Sequence, residues 1–122
     1  MPETYTDWSD LDGRELLPGL VSWSGTGIAL QLVKTQLAPG CDFPPHSHPH
    51  EQFMAVLSGT FECIVDDSVI RSGPGGVFYF APDQPHGGRV VGDEPVLLME
   101  AFHPVRRDYA PDTLSADHDS PE

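Results

Sequence analysis

The sequence predicts an all-β domain, an antiparallel sandwich or small barrel. Thirteen prolines and 12 glycines in 122 residues leave little room for long helices. Between them lie short apolar or alternating runs bounded by turn dipeptides, recurring at regular spacing. The length supports one domain with one core.

The runs are taken in order. Ile28 to Gly40, "IALQLVKTQLAPG", alternates apolar and polar residues and stops at Pro-Gly. Gln52 to Gly59, "QFMAVLSG", is a strand ended by Ser-Gly, and Thr60 to Val65, "TFECIV", follows directly. Asp66-Asp67 is a turn before Ser68 to Arg71. "SGPGG" separates that run from the β-prone "VFYF", Val77 to Phe80. "APDQPHGG" reads as a further turn, and "VLLMEAF", Val96 to Phe102, as the last strand. Residues 1–18 form an acidic N-terminal segment with few strand signals, and the barrel is expected over 19–107. Residues 108–122 are acidic, contain proline and are expected to be a disordered tail, and His118 within it has no assigned role.

Composition narrows the function classes. Nineteen acids against six bases give a net charge of -13, and Lys34 is the sole lysine. Phosphate backbones and anionic lipid surfaces need clustered Lys and Arg, so nucleic acid and membrane partners are disfavoured. No apolar run reaches the ~18 residues of a membrane helix, and the N-terminus lacks the pattern of a secretory signal. A cytoplasmic location is expected, with Cys41 and Cys63 as free thiols.

The stretch "HSHPHEQ", His46 to Gln52, holds five polar side chains able to bind a metal ion. If His46 and His48 lie on a strand, they point to the same side. Pro49 then ends that strand. A new strand from Gln52 puts Gln52, Met54, Val56 and Ser58 on one face, where Gln52 can join the two histidines. Both faces of this strand are apolar enough to be buried, one against another sheet or a second subunit. His86 is the candidate third imidazole, with Gly87 and Gly88 behind it and Asp83 suited to a left-handed turn. A distant lone histidine such as His103 is more often structural.

The stretch from Gly40 to Gly59 resembles the first motif of the cupin superfamily: Gly, five residues, His-x-His, three or four residues, an acidic position, six residues, Gly. Gln52 takes the acidic position. Gly75 to His86 resembles the second motif, with Gly76, Ala81 and Asp83 in place of its usual Asp, Pro and Gly. The resemblance implies a jelly-roll β-barrel, commonly dimeric. It also implies a divalent ion (Zn, Ni, Fe or Mn) held by His46, His48, Gln52 and His86. His50 and Glu51 then fall in the spacer between ligands. A neutral amide in the ligand set leaves the ion its full charge and favours Lewis-acid chemistry.

A narrower resemblance joins this motif to "EAFHPVRRDY", Glu100 to Tyr109. Glu100, Phe102, Pro104 and Arg106 are spaced like the Asp-x-Phe-x-Pro-x-Arg signature of the single-domain cupins of the KdgF type, which open the ring of 4,5-unsaturated monouronates. That resemblance implies a small anionic sugar as substrate. It makes Glu100 the base, Arg106 a fork for a carboxylate or enolate, and Phe102 an apolar wall.

Overall fold

The computed structural model describes residues 4–109. Ten antiparallel strands form two sheets. The first has the order β1 (Arg14–Leu17), β2 (Leu20–Thr26), β3 (Gln31–Leu37), β10 (Val96–His103), β5 (Glu51–Ser58) and β8 (Val77–Phe80). The second has the order β4 (Asp42–His46), β9 (His86–Val91), β6 (Thr60–Val65) and β7 (Ser68–Ser72). Non-consecutive neighbours such as β3–β10 and β4–β9 fold the chain into a jelly-roll barrel. The inner faces meet over Leu37, Val56, Phe61, Cys63, Phe80 and Leu98, all buried.

The predicted strands in 28–40, 52–59, 60–65, 68–71, 77–80 and 96–102 are all present, within a few residues of their expected limits. Besides β1, three more strands were not among these runs, each for a physical reason. In β2 the inward positions are polar, namely Ser22, Ser24 and Thr26, all buried. They are tolerated because each has a partner: Ser22 with Thr35, Thr26 with the Gln31 amide, and Ser24 donating to the Tyr109 carbonyl. β4 contains Pro44 and Pro45. β9 begins "HGG", which looks like a turn, but its glycines are spacers. A Cβ on Gly87 would lie 2.8–2.9 Å from the β4 backbone, and one on Gly88 would lie 2.2 Å from the Phe61 ring.

Both ends of the barrel run past the expected limits. β1 pairs with β2, so the sheet starts ahead of residue 19. Residues Arg107–Tyr109 form a short 3-10 turn tied to the barrel, so the tail expected from 108 does not start there, and its remainder lies outside the described residues. His118 lies outside the described residues. Cys41 and Cys63 are buried free thiols.

β5 alternates as its sequence requires, with Gln52, Met54 and Val56 inward and Phe53 and Leu57 outward. Gly59 then turns the chain at φ +83, where a Cβ would strike the Pro95 carbonyl at 2.4 Å. The distance from Gln52 to this turn is therefore fixed by the backbone.

Candidate metal centre and its cavity

Three loops and strand ends bring the histidines together. His46 is the last residue of β4 and pairs with His86, the first of β9. The close approach at Gly87 permits this pairing. His48 lies beyond the end of β4, which corrects the expectation of an i, i+2 pair on one strand ended by Pro49. Its place is held instead by the Asp83 amide, which donates to the His48 carbonyl at 2.7 Å. Asp83 adopts the left-handed conformation, φ 65, that the turn needs.

One ligand atom from each of His46, His48 and His86 falls within 4.8 Å of the others. His46 is exposed, while His48 and His86 are buried. The His86 ring stacks flat on Phe80, with centroids 4.0 Å apart. Phe102 meets the edge of the His48 ring.

The tautomers follow from the hydrogen bonds. In each histidine Nδ1 faces a backbone carbonyl, and a carbonyl only accepts. His46 Nδ1 therefore donates to Pro44, His48 Nδ1 to His50 and His86 Nδ1 to Gln84. Each Nε2 is left with its lone pair. Burial, and next the Arg106 charge, push the His48 pKa down to about 4, and burial lowers that of His86. Both rings are neutral at pH 7.

Gln52 completes the arrangement. Its Nε2 donates to Glu100 Oε1 at 2.7 Å, so its Oε1 is the atom turned toward the histidines. That oxygen sits 3.1 Å from His48 Nε2. With the His48 proton on Nδ1, the tautomer set in the other two histidines, both atoms are acceptors and no proton lies between them. Two lone pairs facing each other at this distance fit a shared cation, since neighbouring donors with bonds of about 2.1 Å lie roughly 3 Å apart. The donor set of three imidazoles and one amide oxygen thus fits a metal ion. Glu51, next in sequence, points outward and accepts from the Tyr79 hydroxyl.

Glu100 lies inward on β10, 6% exposed. Its second oxygen accepts from Thr35 Oγ1 at 2.6 Å, and Ser22 donates to Thr35 in turn. Burial raises the Glu100 pKa, opposed by the Thr35 hydrogen bond and the Arg106 charge. Ser22, Thr35, Glu100 and Gln52 form one hydrogen-bonded file that ends against His48.

Arg106 lines the same cavity. Its guanidinium lies over the Tyr109 ring at 4.3 Å and the Phe102 ring at 5.2 Å. Its Nε and one terminal nitrogen are paired with Asp108, at 3.3 and 2.8 Å. The Arg106 backbone is gripped at both ends by the Gln31 amide, which accepts from its N–H and donates to its carbonyl. Phe102 shares the inward face with Glu100 but does not line the cavity. It packs beneath His48 and Tyr109. Gln31, Thr35, Asp108 and Tyr109 had no motif to mark them in the sequence. The strand parity of Gln31 and Thr35 with Val33 was the signal available.

The cavity holds about 430 Å³ and is lined by His46, Gln52, His86, Glu100, Arg106 and Tyr109 among others. A site with a buried carboxylate, a set of imidazole and amide donors and a cation can bind an oxygen-rich anion and move a proton on it.

The comparisons agree with this geometry. Residues 33–102 match the model of the cupin domain. No curated protein sequence matches the chain closely. A cupin from Shewanella frigidimarina described as RmlC-like superposes with a TM-score of 0.82 at 25% identity, over 88% of this chain and 96% of its own. KdgF from a Halomonas species gives 0.76 at 25% identity, over 82% and 94%. An oxalate decarboxylase from Bacillus subtilis gives 0.75 at 19% identity, over 85% of this chain but 30% of its own, and shows the fold alone. With the domain model matched over more than half its length, the chain belongs to the cupin family.

Proposed function

We propose that this cupin is a metal-dependent enzyme acting on a small sugar acid. Its most specific form is the opening of 4,5-unsaturated monouronate rings to a linear keto-sugar acid. The observation that carries this reading is the contact of Glu100 with Gln52. It places a buried carboxylate one side chain away from the donor set, in the same cavity as Arg106. The likeness to KdgF supports the substrate class.

A bound divalent ion would polarise the oxygens of the sugar as a Lewis acid. His46, His48, Gln52 and His86 would hold it. Glu100 takes the proton of the anomeric hydroxyl as the ring C–O bond breaks. The electron pair of that bond goes to the ring oxygen, giving an enolate, and a carbonyl forms at the former anomeric carbon. The enolate carbon then takes up a proton, which Glu100 can return. Desolvation suits Glu100 to this exchange, because it brings the carboxyl closer to the working pH. Arg106 binds the substrate carboxylate through N–H groups left over from Asp108.

The test is the ultraviolet absorbance of a 4,5-unsaturated monouronate, which metal-loaded protein should discharge faster than buffer. Glu100→Gln keeps the shape and lets Thr35 reverse its hydrogen bond, so it should fold and lose about 10²- to 10⁴-fold in rate. An unchanged rate in this variant removes Glu100 as the base. Tight binding without turnover would make the protein a sensor.

A cytoplasmic homodimer belongs to the proposal. The outer face of the first sheet carries a level of Leu32, Ala101, Phe53 and Tyr79 across four strands, with Val77 and Leu57 beside it, largely exposed. A second copy is the occupant proposed. Sedimentation of Phe53→Ser should show monomer where the parent shows dimer.

A further inference from the structure

The cavity changes character along the barrel, and strand register gives the order. Gln52, Phe102 and Gln31 are level across β5, β10 and β3. Two residues further on, Met54, Glu100 and Val33 are level, then Val56, Leu98 and Thr35, and finally Val96, Leu37 and Leu20. A strand rises about 3.3 Å per residue, so the Leu37 level lies about 20 Å beyond Gln52. The ionisable and ligating side chains of the cavity belong to its first part. From the Thr35 level onward the wall is Leu98, Leu37 and Leu20, with Leu16 and Leu17 supplied by β1. These side chains have no donor or acceptor to replace the water around a sugar hydroxyl. They offer contact to hydrocarbon.

We infer that the cavity takes ligands with two unlike ends: an anionic, oxygen-bearing head at the histidine–Gln52–Glu100 end, and an apolar tail lying toward Leu37 and Leu17. The volume of 430 Å³ is within the range that encloses a whole small ligand. This goes beyond the ring-opening reading, which uses the polar end alone. It makes β1 a specificity element, because Leu16 and Leu17 close the apolar end from the edge of the sheet.

The experiment is an NMR titration of zinc-loaded full-length protein with acetate, butyrate, hexanoate and octanoate. Each buried methylene contributes about 0.8 kcal/mol, which is roughly fourfold in affinity. Affinity should therefore climb steeply from acetate to hexanoate. Equal affinities, or no binding by any member, overturn the inference. Leu17 is already 41% exposed, so Leu17→Gln should fold. It should blunt the gain for octanoate and leave acetate unchanged. Phe53→Ser, on the outer face, should leave the series unaltered, and loss of the gain there would place the tails on the outside and overturn the inference. The series needs no turnover. A rising series without ring opening removes that reading and keeps this one, and ring opening with a flat series does the reverse.

Discussion

Replacing Gln52 with glutamate tests the file of hydrogen bonds at its centre. In the native chain the Gln52 amide donates to Glu100 Oε1 at 2.7 Å. Gln52→Glu is nearly isosteric, but it sets a carboxylate oxygen where that N–H was. Two carboxylates at this distance cannot both be ionised, so the pair retains a proton. Glu100, already raised by burial, moves further up. In metal-free protein the shared proton replaces the lost N–H in that contact, and the folded state then binds a proton that the unfolded chain, with ordinary carboxylates, releases above pH ~4.5. Stability must then fall as pH rises, by up to about 1.4 kcal/mol per unit while the proton is held. Urea denaturation of both proteins with chelator present, at pH 6, 7 and 8, reads this directly. The variant should lose ground to the parent at each step. A gap that is constant from pH 6 to 8 would refute the shared proton, and with it the contact between Gln52 and Glu100.

Other outcomes follow from the same structure. His86→Ala removes one imidazole and its stack on Phe80, so metal affinity should drop by more than the ~10- to 100-fold that losing an outer partner costs, as read by competition with a chelator. Retained stoichiometric tight binding would exclude His86 from the donor set. Gly88→Ala drives a methyl to 2.2 Å from Phe61 and should destabilise the fold by about 1–3 kcal/mol, whereas an unshifted melting curve would show that β6 and β9 are looser than described. His48 is held neutral down to about pH 4, while in the unfolded chain it titrates near 6.5. Between these values the unfolded chain binds the extra proton, so metal-free protein should weaken as pH falls through that window. His48→Gln should weaken less steeply, and parallel curves would show that His48 is not the cause.

Much of the fold was legible because β structure writes itself in period two. In β5 the inward Gln52, Met54 and Val56 and the outward Phe53 and Leu57 follow from alternation. Where polarity runs against that code, reading failed. β2 buries Ser22, Ser24 and Thr26, which only make sense once Thr35, Gln31 and Tyr109 are beside them. The "HGG" of β9 looked like a turn because a single chain does not reveal what will pack on a missing Cβ.

By itself the sequence determined the strand pattern, the two motifs and the candidate donors, because these depend on residue type and on spacings of a few residues. It also carried Glu100, Phe102 and Arg106 as a spaced set. Only the tertiary structure decided what each touches. Register across β10 and β5 put Glu100 against Gln52 and left Phe102 under the His48 ring. The turn at Asp83 fixed His48 from outside any strand. Asp108 and Tyr109, in a stretch read as tail, came to line the cavity beside Arg106. Contacts between residues as many as 94 positions apart made these choices, as between Arg14 and the Asp108 carbonyl. Such contacts depend on which strands become neighbours, and a local pattern holds no record of that.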